Sequence, residues 1–137
     1  MLYSSVNEAI QTASKPSVAS QDREAAIDYL GSHPTPEAIS TLIDLLEADD
    51  AGIRWRSADV LARMGKPALA PLLHALVDKS DSRWLLEGAT HVFHDNRDHK
   101  VAKMTEELRA AMKGSGAAVA TVTVAGELLV KLAGEAA

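Results

Sequence analysis

Residues Ile53 to Leu76 read as a helix, a Gly65-Lys66-Pro67 break and a second helix, and each helix carries one apolar stripe. Ile53, Ser57, Ala58, Leu61 and Met64 share a face before the break; Leu72, Leu73 and Leu76 share one after it. A lone hairpin of this size holds no core, so such a unit needs neighbours of its own shape. The chain supplies them. The small pair Ser57-Ala58 has counterparts in Ala25-Ala26 and Gly88-Ala89, spaced roughly every 31 to 32 residues, and Tyr29, Leu61 and Val92 follow the pairs by three. A looser fourth copy places Ala125 before Leu128. Small residues at these positions let adjacent hairpins approach closely.

The Ser57-Ala58 pair, Leu61, Met64-Gly65, Pro67, Leu72-Leu73 and Leu76 resemble the HEAT-like repeat, the helical-hairpin unit of α-solenoids, of the type also seen in phycobilin-lyase-like proteins. The resemblance implies an all-α protein: a short right-handed HEAT-like α-solenoid of about eight helices in stacked hairpins. Residues 1–137 then form a single domain, with a repeat core over about 20–113 and divergent capping helices at 1–15 and 116–133. Divergent ends are expected because terminal units face solvent.

Local signals place the helices. The first runs from Leu2 to Ser14, with Ser5 and Glu8 spaced as a capping box that starts it a turn later. The second covers about Ala19 to Gly31, and Thr35-Pro36 opens a third that reaches Ala48. The fourth spans Ala51 to Met64 and the fifth Pro67 to Lys79. Asp81 caps a sixth ending near Asp95, and the seventh extends from Asp98 to Lys113. In the last segment Thr121-Val122-Thr123-Val124 favours strand by propensity. Val122, Ala125, Leu129 and Leu132 keep the helical period, so a helix over Ala117–Ala133 is preferred.

Composition narrows the function. The absence of Cys excludes disulfides, a thiol nucleophile and Cys-based zinc sites. The net charge is -5, and residues 1–50 hold only Lys15 and Arg23 as bases. An acidic chain lacks the clustered cations that polyanions need, so nucleic acid ranks last among partners. Met1 to Ser5 carries neither the basic region nor the apolar run of a signal peptide. The longest apolar run, Ala117 to Val130, contains Glu127 and falls short of the roughly 18 residues that span a bilayer. A cytoplasmic protein with no membrane partner is expected.

His91 and Asp95 fall where Val60 and Met64 stand one repeat earlier, positions that are apolar or small in HEAT-like repeats. They are i, i+4 neighbours within pairing distance, with His94 beside them. His91, His94 and Asp95 are the candidate metal-binding or proton-handling group; a solvated helix end is the plainer reading. The related deoxyhypusine hydroxylases hold two irons with repeated His-Glu pairs. Here no His precedes Glu, and His94-Asp95 is the nearest match. No residue marks bilin handling, and the HEAT-like DNA glycosylases require a basic concave face that this acidic chain lacks. No cofactor is expected.

Trp55 lies across the fourth helix from Ile53, flanked in sequence by Arg54 and Arg56. Trp and Arg dominate binding hot spots, so the three are candidate partner contacts; the alternative packs Trp55 beneath a neighbouring loop. Trp84 aligns with Ile53 and is expected in the core. The second helix of each pair usually lines a solenoid's concave face, so His74 and Asp78 with Arg109 and Lys113 are expected to form one charged groove. The favoured function is a non-catalytic protein-binding or scaffold module. Its rival is an accessory enzyme or lyase-like protein that uses His91 and Asp95 with a divalent metal. The last helix, nearly uncharged, is expected to dock a partner or a second copy.

Overall fold

The structure, a computed structural model, describes residues 5–136, which form α-helices and short turns with no strand among them. In chain order the helices are α1 (Val6–Ser14), α2 (Ser20–Ser32), α3 (Pro36–Asp44), α4 (Ala51–Met64), α5 (Leu69–Asp78), α6 (Arg83–His94), α7 (His99–Met104), α8 (Glu106–Lys113) and α9 (Ala117–Ala136). The expected start of the first helix at Leu2 lies outside the described residues. α1 begins after Ser5, whose Oγ accepts from the Glu8 backbone N–H at 3.2 Å.

Caps and breakers set the other boundaries. The Thr35 hydroxyl accepts from the Ala38 N–H ahead of α3, and Asp50 Oδ1 accepts from the Gly52 and Ile53 N–H groups ahead of α4. α6 is capped by Ser82 and not by Asp81, since the Leu85 N–H donates to Ser82 Oγ at 3.3 Å. Gly65 ends α4 at φ 78°, a conformation that favours glycine. Two expected helices are interrupted. Residues 45–47 tighten into a 3-10 turn, and the 98–113 helix breaks at Thr105. That threonine is fully buried and satisfies its hydroxyl by donating to the Val101 carbonyl at 2.8 Å.

The helices stack in two rows. α2, α4 and α6 are successive neighbours in the first, with α1 on α2; α3 and α5 are neighbours in the second. The helix that continues the second row beside α5 is α9, not the 98–113 segment. The break at Thr105 turns α8 aside, so that it packs on α6 and α9. The buried stripe of α9 centres on Thr121 and Ala125, with Leu128 and Leu132 partly buried beyond them. Val122, expected inside, is exposed. By length and composition alone α9 is also sufficient to cross a membrane over Ala117–Glu135, at mean hydropathy 1.5. That overturns the expectation drawn from Glu127, because surrounding Val and Leu offset its charge and that of Lys131.

Small residues sit where the repeats touch. Ala26, Ser57, Ala58, Gly88 and Ala89 are buried. A Cβ on Gly88 would stand 3.0 Å from Leu46 Cδ2, and one on Gly31 only 2.6 Å from Val60 Cγ1. Gly88→Val is therefore expected to destabilise by about 1–3 kcal/mol through overpacking. Gly134→Ala on α9, where an added Cβ meets nothing within 4 Å, should be neutral or slightly stabilising. Urea unfolding of the two variants checks the contrast. Trp84 departs from its expected core position. It is 40% exposed, and Leu85, one turn before Ala89, takes the inward place.

Polar ties fix the register between repeats. Ser20 Oγ donates to Asp50 Oδ2 at 2.9 Å, and Glu47 receives Ser82 Oγ at 2.5 Å and Lys79 Nζ at 3.1 Å. Partial burial pushes the Glu47 carboxyl up, but the Ser82 and Lys79 hydrogen bonds outweigh it and hold the group below its ordinary value.

A candidate partner-binding cleft

The outward sides of α4 and α6 face a cleft of ≈ 660 Å³ that α8 closes. α4 contributes Trp55. α6 contributes the Arg83–Glu87 ion pair, Leu86, Thr90 and His91, with His94 and Asp95 at its end. α8 contributes Arg109, Met112 and Lys113. Leu86 and the buried Met112 supply apolar surface, and Trp55 is 46% exposed.

His91 joins two repeats. Its Nε2 lies 2.6 Å from Asp59 Oδ1 on α4, and its Nδ1 3.1 Å from Asp95 Oδ2. In its protonated form the ring donates to both carboxylates at once. Trp55 meets the same ring edge-on, with centroids 5.7 Å apart and planes at 77°. His94 Nδ1 is 2.7 Å from Asp95 Oδ1. That hydrogen bond holds the Asp95 carboxyl below its ordinary value against slight desolvation, and the nearby His91 and His94 charges act in the same direction. His91, His94 and Asp95 thus come together as a hydrogen-bonded chain. The two nitrogens of His91 face opposite carboxylates, and among the described residues no group of three or more His, Asp or Glu side chains is placed to hold a metal ion.

The other candidate residues separate. Arg54 binds its own repeat's loop, donating to the Ala48 and Asp49 carbonyls at 2.6 and 3.1 Å, and its guanidinium stands 4.1 Å from the Trp84 ring centroid. Arg56 pairs with Asp28 at 3.0 Å and faces a different groove of ≈ 620 Å³, together with Arg63 and Arg97. Adjacent residues on a helix diverge by about 100°, so Arg56 turns away from Trp55, while Arg54 and Trp55 meet only at a small groove beside Trp84 and Glu87. His74 and Asp78 line a third groove of ≈ 430 Å³ between α3 and α5. They do not meet Arg109 and Lys113, which the diversion of α8 carries to the Trp55 cleft. There Arg109 Nη2 donates to the Ala102 carbonyl at 2.7 Å. Among the described residues neither Arg109 nor Lys113 has a carboxylate partner.

Sequence reasoning missed Asp59 as the partner of His91. The 31-residue alignment set His91 against Val60; the offset of 32 between the capping residues Asp50 and Ser82 sets it against Asp59, at equal height on the adjacent helix. It missed Arg63 and Arg97 as neighbours as well. Arg97 arrives through the loop after α6, whose backbone N–H donates to the Ala62 carbonyl at 2.9 Å beside the buried Asn96.

A HEAT-repeat profile matches residues 7–92, more than half of the chain. The chain belongs to the HEAT-repeat family. HEAT repeats generally mediate protein–protein interaction or scaffolding. No curated protein and no solved structure matches the chain closely. The HEAT match stops within α6, so the cleft straddles its limit: Trp55, Asp59 and His91 lie inside the matched stretch, and Asp95, Arg109 and Lys113 beyond it.

Proposed function

We propose that this HEAT-repeat protein is a non-catalytic binding module of the cytoplasm that grips a protein partner in the cleft between α4, α6 and α8. The observation that carries the reading is Trp55, half exposed at a cleft with apolar surface from Leu86 and Met112 and two cations, Arg109 and Lys113, that lack intramolecular carboxylates. An indole beside apolar surface offers a large contact at low entropic cost, and unpaired cations at the edge select an acidic complement. The His91 pairings with Asp59 and Asp95 hold the cleft wall in place. The rival reading, chemistry at His91 and Asp95, has less support. Both ring nitrogens already have partners, and the Thr90 hydroxyl is turned to the Leu86 carbonyl at 2.8 Å instead of to His91. Nucleic acid is outside the proposal, because the chain is net acidic.

The test compares capture from the native host by the wild-type chain and by Trp55→Ala/Lys113→Glu. Both substitutions are at exposed positions, so the thermal midpoint should not move. A protein recovered by the wild type should be depleted about thirtyfold by the double variant, as for a hot spot of about 2 kcal/mol. Equal recovery of every associated protein refutes the cleft as the docking site.

A further inference from the structure

α9 buries one stripe and leaves the opposite one bare. Val119 and Val130 are each 74% exposed and Val122 37%, while Thr121 and Ala125 show no surface. On the bare side Gly126 leaves a notch, since a Cβ there would meet nothing within 4 Å. Glu127 and Lys131 are exposed one turn apart, and neither has an ion-pair partner among the described residues.

We propose that this face joins two copies of the chain, with their α9 helices antiparallel about a two-fold axis near Leu129. Helical geometry sets the register. At about 100° per residue, Val119, Gly126 and Val130 lie along the middle of the bare face, and Glu127 and Lys131 share one flank. Like flanks meet in a two-fold antiparallel pair. Glu127 therefore faces the partner's Lys131, and Lys131 the partner's Glu127. In this register Val130 stands about 3 Å along the axis from the partner's Gly126, whose missing side chain leaves room beside it. In a parallel pair unlike flanks meet, so Glu127 and Lys131 would face the partner's Leu129 side and go unpaired, and that arrangement is disfavoured. A bilayer is a poorer occupant, because the charged pair sits mid-helix and α9 is held along α5 and α8.

The test is sedimentation equilibrium of the full chain from about 1 to about 100 μM, the range of a moderate self-association. The wild type should dimerise reversibly. Lys131→Glu should weaken the dimer about tenfold, because symmetry makes the repulsion act twice. Glu127→Lys/Lys131→Glu should restore it. Val130→Asp should give a monomer whose thermal midpoint equals that of the wild type at concentrations too low for it to dimerise, since Val130 is exposed within one copy. A wild type that stays monomeric throughout, a charge swap no tighter than Lys131→Glu alone, or a dimer that survives Val130→Asp overturns the proposal. So does flotation of wild-type monomer with phosphatidylglycerol-containing vesicles, which would assign the valines to lipid.

Discussion

Phe93→Ala is expected to cost about 3–5 kcal/mol, the largest loss from any single substitution considered for this chain. Phe93 is the sole Phe, is fully buried, and leads the fully buried side chains in volume. It lies on α6, which packs against α4, α5, α7 and α8, so the void would open where the repeat stack meets the divergent end. Domains of this size have total stabilities of roughly 5–15 kcal/mol, so about a fifth or more of the margin disappears. The thermal midpoint should fall by about 10 °C. Phe93→Leu keeps most of the volume and should cost under about 1.5 kcal/mol. Paired urea titrations separate the two. A Phe93→Ala penalty below about 1 kcal/mol would mean that this part of the interior collapses onto the void, contrary to a packed α6 core.

How far the sequence carried depends on how locally each feature is encoded. α4 has its expected bounds, because Asp50 before it and Gly65 after it are strong local stops. The buried faces of α2 and α3 follow their apolar periods, with Ala26, Ile27 and Leu30 inside on one and Ile39, Leu42 and Ile43 on the other. Thr105 gave no comparable signal. Its buried hydroxyl bonds within its own segment, yet the result is a break that redirects α8 and hands the second row to α9. The separation of His74 and Asp78 from Arg109 and Lys113 follows from that one break. Trp84 was misplaced by an error of one residue, because the alignment on Ile53 ignored where Ser82 starts the helix. The cleft itself was half legible. The non-apolar His91 and Asp95 announced themselves against the repeat, and Trp55 declared its outward position. Their assembly with Arg109 and Lys113 depends on tertiary packing, for which sequence spacing holds no rule.

Removing α9 by ending the chain at Gly116 is expected to abolish cooperative folding. α9 is 20 residues long and packs against both α5 and α8. Its loss uncovers the surfaces that Val124, Leu128, Leu129 and Leu132 partly bury and that Thr121 and Ala125 seal fully. At about 25 cal/mol per Å² of apolar area, several such side chains together contribute on the order of 5 kcal/mol or more, comparable to the whole stability of a small domain. A stack deprived of its terminal cover also exposes an unprotected apolar end. The shortened chain should bind a hydrophobic dye, lose more helical signal than α9 alone contributes, and melt without a sharp transition. Val130→Asp, which alters only the outward side of α9, should melt sharply and, compared at concentrations where the wild type is monomeric, at the same midpoint. The contrast between the two distinguishes a helix that is part of the repeat stack from one that merely hangs on it. A chain ending at Gly116 that melts as sharply and as high as the wild type would make α9 an appendage, free to leave α5 and α8 for a membrane or another protein.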